Sequence, residues 1–208
     1  MKNILNDVWS FDGSCIYHCN DQFKLTQKEY YFLRNLTYHQ TENDKKLLSK
    51  NKYVFNDNPE LNRIKAYFKD KIDFYMKEVI EVKNEVALTQ SWITINKKGG
   101  EHPMHAHRNV FLSLVYYPQV ENGTLQFWKG SSSLERHTNL HFDKIRDNVF
   151  NSNFFDLKLS NGSVVIFPGW LAHRGLKNTG SVDKIMIGAN YFLTGKLGKE
   201  INVNELFL

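Results

Sequence analysis

The sequence predicts a mainly β fold: an antiparallel barrel or sandwich of jelly-roll type with helices packed outside it. Three observations predict this. Runs rich in β-branched and aromatic residues, bounded by turn formers, fill the chain beyond residue 85. Two Asn-Gly pairs, Asn122-Gly123 and Asn161-Gly162, sit between such runs as hairpin turns. Helical spacing is confined to the first part of the chain, so there is no strand–helix alternation to build a parallel sheet. The 208 residues, 41% hydrophobic and 14% aromatic, can bury a sizeable core. We read residues 1–208 as one domain, with a helical part of about residues 1–85 packing on the barrel.

The elements follow in order. Val8 to Tyr17 alternate weakly, as an edge strand would. Thr26-Gln-Lys-Glu29 is a capping box, which starts a helix running to about Asn35. Tyr38 to Lys52 is polar and charged and reads as a surface loop. Asn58 and Pro59 stand where a cap and a first helical residue belong. Leu61, Ile64, Tyr67, Phe68, Ile72, Tyr75 and Val79 then recur at helical spacing to about Ile80, an apolar stripe that belongs against a sheet. Val86–Asn96, Val110–Tyr117, Thr124–Trp128, Phe154–Leu159, Ser163–Phe167 and Lys184–Leu193 are the strands. Gly130 to Asn153 is long and irregular, the length of a lid or binding loop. Its His137 and His141 lack a paired spacing and are read as solvated.

Charge and composition exclude several classes. The net charge is +5, but the lysines are scattered among 22 acids and form no basic block with interleaved aromatics. Nucleic-acid binding is therefore unsupported, whereas a basic mouth favouring an anionic substrate fits the balance. No apolar run approaches the ~20 residues that span a bilayer. The N-terminus lacks the apolar core of a signal peptide, which points to the cytoplasm. Cys15 and Cys19 do not have the spacing of a zinc or redox pair, and two partly buried thiols are expected.

The chemistry lies in two histidine segments. Gly99-Gly-Glu-His-Pro-Met-His-Ala-His107 holds three histidines within six residues. His105 and His107, two apart, share a face on an extended strand and can aim both imidazoles at one point. Imidazole is the commonest metal ligand. Far downstream, Asn161 to His173 reads as a turn, a buried strand, a Pro-Gly break and then a histidine. An H-x-H pair and one remote histidine across a β-barrel form the layout of non-haem iron sites with open positions for substrate and oxygen.

Several segments carry a family resemblance: Thr89–Asn96, Lys98–Asn109 with the histidines, Ser113–Tyr117, Gly162–His173 and Lys184–Asn190. From about Tyr53 onward the chain resembles the 2-oxoglutarate/Fe(II)-dependent oxygenases of phage and marine bacterial type. The resemblance implies a double-stranded β-helix, a cupin-like jelly roll. It implies Fe(II) held by His105, His107 and His173, and the co-substrates 2-oxoglutarate and O2. The product would be a hydroxylated substrate, with succinate and CO2 released. Most such oxygenases carry a carboxylate two residues after the first histidine; His107 stands there, which leaves the site one charge more positive. A second option is a carboxylate such as Glu101 completing the set.

The resemblance also implies a cation for the distal carboxylate of 2-oxoglutarate, usually Arg, and Lys184 takes that place. The hydroxyl expected two residues later is replaced by Met186. Tyr117 would hydrogen-bond the same carboxylate, and Asn96, Ser113 and Asn190 are further candidate contacts. His102 falls beside the ligands or in solvent. Two other classes stay open on sequence: a three-histidine dioxygenase that binds substrate without 2-oxoglutarate, and a non-catalytic jelly-roll module.

Overall fold

The protein is described from a computed structural model covering residues 8–11, 14–40, 45–148, 150–198 and 205–208. In chain order its strands are β1 (Val8–Phe11), β2 (Ser14–Asn20), β3 (Tyr38–Gln40), β4 (Lys46–Ser49), β5 (Glu85–Asn96), β6 (His102–His105), β7 (Leu112–Gln119), β8 (Gly123–Trp128), β9 (Phe154–Leu159), β10 (Ser163–Pro168), β11 (His173–Gly175), β12 (Lys184–Thr194), β13 (Lys196–Leu197) and β14 (Leu206–Phe207). The helices are α1 (Gln27–Arg34), α2 (Val54–Asp57), α3 (Asn62–Phe74) and α4 (Ser133–Thr138). The large sheet has the order β1-β2-β10-β7-β12-β5-β4-β3, and the small one β6-β11-β8-β9. Every ladder in both sheets is antiparallel.

Side-chain alternation divides the interior in two. On the large sheet Ile93, Ile95, Leu114, Tyr116, Ile166 and Ile187 face one way and pack on Leu33, Ile64, Phe68 and Ile72 of the helices. The intervening Val115, Tyr117, Val165 and Phe167 face the other way and meet Leu125, Phe127, Leu157 and Leu159 of the small sheet. Two sheets closing on a shared core, with helices over the outer face, make the jelly roll expected from sequence. Each fully buried Ile, Leu or Phe in these clusters contributes roughly 1.5–3 kcal/mol.

The α1 capping box forms as expected, with Glu29 N–H donating to Thr26 Oγ1 and Thr26 N–H to Glu29 Oε2. Glu29 is buried and also accepts two hydrogen bonds from Arg63 of α3, at 2.9 and 2.6 Å, which ties the two helices together. The stripe is broken more than its spacing suggested. A 3₁₀ turn at Pro59–Leu61 precedes α3, and a π turn over Tyr75–Val79 follows it. Asn58 caps nothing; its side chain donates back to Val54 O at 2.8 Å.

The segment read as a surface loop contains β3 and β4 instead. Residues 41–44 within it lie outside the described residues. β4 pairs through its backbone with β5, its Leu47 packs against the helix-covered core, and buried Ser49 Oγ accepts from Ile93 N–H at 3.1 Å. The first edge strand is two strands, β1 at the sheet edge and β2 between β1 and β10. The long segment after β8 holds α4, opened by a second capping box, Ser132 to Glu135. The Ser-x-x-Glu pattern was readable in the sequence but lies in a stretch too polar to show helical periodicity. Cys15 and Cys19 are half-buried and form no disulfide.

Candidate metal centre

Two strands and the segment just past one of them deliver the histidines. His105 ends β6, His173 begins β11, and the two are direct partners across that ladder. His107 lies past the end of β6, so strand alternation does not align it with His105. Its backbone N–H donates to Gly169 O at 2.8 Å, which turns the chain so that the ring faces inward. The ring centroids of His105, His107 and His173 stand 5.1, 4.4 and 5.1 Å apart in pairs. One nitrogen from each falls within 4.8 Å of the other two, an arrangement that could hold a metal ion. Among the described residues no carboxylate joins this cluster, and Glu101 is exposed.

Each ring is oriented through its other nitrogen. Nδ1 of His105 lies 2.8 Å from Pro103 O, and Nδ1 of His173 lies 2.8 Å from Leu171 O. Nδ1 of His107 lies 2.9 Å from Asn190 Oδ1 and 2.7 Å from Ser113 Oγ, while Ser113 itself donates to Asn190 Oδ1. Carbonyl acceptors at Nδ1 fix the proton there and leave Nε2 as a lone-pair donor, as in protein metal sites. The two Nε2 atoms of His105 and His107 are 3.1 Å apart. Burial holds all three imidazoles below their ordinary pKa, His173 down to about 3, with the neighbouring rings adding to the effect at His107 and His173. They are neutral at physiological pH, the form that ligates.

The centre opens into a pocket of about 470 Å³ including its open mouth. Its walls include Trp92, Thr94, Asn96, Val115, Tyr117, Leu125, Met186 and, at the far end, Lys184. Lys184 is buried, donates to Leu176 O at 2.9 Å, and is pushed down by burial to about pKa 8. Next to it across the β5–β12 ladder stands Asn96, and Thr94 stands opposite Met186. Asn96 Oδ1 and Thr94 Oγ1 are buried with no hydrogen-bond partner. Orphaned polar atoms beside a buried ammonium mark a place where a polar ligand completes the bonding.

The structure brings His105, His107, His173, Lys184, Tyr117 and Asn96 to one cavity. Ser113 and Asn190, expected as co-substrate contacts, are turned to His107 instead. His102 lines the pocket with its ring 4.5 Å from that of His105, pushed down to about pKa 2 by burial and then by Lys46 and the other imidazoles. Sequence reasoning missed Thr94. The hydroxyl absent at Met186 is present across the ladder, a relation that depends on strand register and not on spacing along the chain.

Fold and site together define a double-stranded β-helix with a three-histidine centre. Residues 90–190 match the family model described as "Putative 2OG-Fe(II) oxygenase". That stretch carries the three histidines and Lys184, and over it the chain is similar to the 2OG-Fe(II) oxygenase family. Among curated proteins no sequence matches. Solved structures share the fold. HygX from Streptomyces hygroscopicus, with nickel, 2-oxoglutarate and hygromycin B bound, is 12% identical with a TM-score of 0.58, over 87% of this chain and 84% of that one. A 2OG-Fe(II) oxygenase-family oxidoreductase from Burkholderia pseudomallei is 9% identical with a TM-score of 0.58, over 85% and 83%. The carbocyclase SnoK of nogalamycin biosynthesis is 14% identical with a TM-score of 0.57, over 87% and 80%.

Proposed function

We propose that the protein, acting as a single domain, is an Fe(II)- and 2-oxoglutarate-dependent dioxygenase that hydroxylates a substrate and releases succinate and CO2. The observation that carries this reading is the convergence of three Nδ1-anchored imidazoles on a cavity ended by a buried lysine. His105, His107 and His173 would hold the metal. The donor set fits iron: three neutral imidazoles with no thiolate leave coordination positions for oxygen ligands. When bound, iron would supply the chemistry by which O2, the oxidant, gives one oxygen atom to 2-oxoglutarate as it is decarboxylated to succinate and CO2, and the other to the substrate C–H bond.

The chain's own residues do the rest. Lys184 neutralises the distal carboxylate of the co-substrate, and Thr94 donates its free hydroxyl to it. Asn96 faces the same end, and Tyr117 with Val115 and Leu125 forms the wall that keeps water out. Lysine supplies a point charge where a guanidinium would supply a fork, so the hydroxyl at Thr94 completes the recognition. The same reading places the enzyme in the cytoplasm, bacterial or phage-encoded, where thiols such as Cys15 and Cys19 stay reduced. No helix among the described residues is long and apolar enough to cross a membrane.

Anaerobic titration of the purified chain with Fe(II) and 2-oxoglutarate tests the proposal. A visible charge-transfer band is expected, lost in H105A, H107A and H173A. Absence of the band in the wild type, together with unchanged metal affinity in all three variants, would overturn it.

A further inference from the structure

A second cavity reaches His105 and His107, two of the three candidate ligands, and does not reach Lys184. It is a groove of about 700 Å³ including its open mouth, lined by Leu48, Lys52, Gln90, Trp92 and Arg108. Trp92, His102, His105 and His107 border both this groove and the inner pocket, whereas Lys184 borders the inner pocket alone. Whatever enters the groove therefore lies against the candidate metal position without occupying the Lys184 end.

The groove is basic by construction. Among the described residues no Asp or Glu lines it. Lys46 shares a face of β4 with Leu48, and is close enough to Lys52 and His102 to act on both by charge. Among the described residues no carboxylate pairs with Lys46, Lys52 or Arg108. Lys52 instead donates to the Ser49 carbonyl. Burial lowers both lysines from their ordinary pKa, and Lys52 lowers Lys46 further. Like charges gathered on partly desolvated stems, with no counter-ion among the described residues, destabilise the free chain, and a bound anion relieves that. Trp92 adds an apolar wall; its ring meets His107 edge-on at 5.6 Å.

We propose that this groove is the primary-substrate subsite and that it selects an anion, a phosphate- or carboxylate-bearing molecule held by Lys52 and Arg108 with its body against Trp92. The inference rests on the oxygenase reading for its chemistry but not for its binding, so the two fail separately. The full chain is titrated calorimetrically with inorganic phosphate, benzoate and, as a cationic control, benzylamine. At least one anion is expected to bind, more weakly as NaCl is raised, and benzylamine is not.

K52Q/R108Q should weaken the anion by roughly tenfold or more, as the loss of charged hydrogen bonds implies, K52R/R108K should restore most of it, and K184M should leave it unchanged. Binding of phosphate alone would support a phosphorylated substrate, and of benzoate alone an organic carboxylate. Absence of binding by both anions, equal binding of benzylamine, indifference to K52Q/R108Q, or equal weakening in K184M would each overturn the proposal. The oxygenase reading would fail differently, as absent heat of 2-oxoglutarate binding to the Fe(II)-loaded wild type.

Discussion

On the proposed reading, Lys184 sets the pH response of the site. Burial brings its pKa to about 8, so the ammonium form that attracts a dicarboxylate is lost as pH rises through that value. Affinity for 2-oxoglutarate should hold below pH 8 and fall by about tenfold per unit well above it. K184R should abolish that limb, because a guanidinium stays charged. Calorimetry across the range decides the matter; a pH-independent wild type would contradict it. Thr94→Val removes one hydroxyl of nearly identical shape. It should weaken 2-oxoglutarate several-fold, about 1 kcal/mol, with iron affinity unchanged. Asn190→Ala should show the reverse pattern, losing about tenfold in metal affinity because Nδ1 of His107 keeps only Ser113 Oγ as a partner. His105 and His107 were legible as neighbours with ligating chemistry. Ser113 and Asn190 were legible only as polar residues near the barrel mouth, since nothing in their spacing shows which of two partners they turn to.

The elements carry a second level of control. Glu29 on α1 is buried, and burial alone would raise its pKa; the hydrogen bonds from Arg63 and Thr26 outweigh it and the net shift is downward. The fold therefore favours the carboxylate, and the stability it gives is present above about pH 4.5 and lost as pH falls through the lower folded value. Glu29→Gln should lower the urea midpoint at pH 7 and flatten its decline in acid. A variant with the wild-type acid limb would refute the clamp between α1 and α3. On β12, Gly188 lies under Trp92: an added Cβ would stand 2.5 Å from the ring's Cζ2. Gly188→Ala should displace the indole, change tryptophan emission, and disturb both cavities without unfolding the sheet. The capping box and the apolar stripe were readable because they are local signals. β4 was not, because Leu47 and Leu48 are its only two apolar residues, too short a run to show alternation, and the rest of its hold is backbone pairing with β5 and a seryl hydrogen bond.

For the molecule as a whole, the helix-covered and intersheet cores are held without the histidines. Removing metal with a chelator should therefore leave a folded β protein that melts a few degrees lower, with the difference recovered on adding Fe(II). Collapse of the far-ultraviolet signal on chelation would show that the centre is structural. Residue order alone determined the class: β-branched runs, Asn-Gly turns, an H-x-H pair and one distant histidine followed by a lysine. These are signals of composition and short spacing, which the backbone reads locally. The tertiary structure decided which side chains meet. Strand register set Thr94 opposite Met186, the Gly169 carbonyl turned His107 inward, and Trp92, His102, His105 and His107 came to border both an inner pocket and a basic groove. Contacts between residues eighty or more positions apart are fixed by ladder pairing and packing, and no pattern along the chain encodes them by itself.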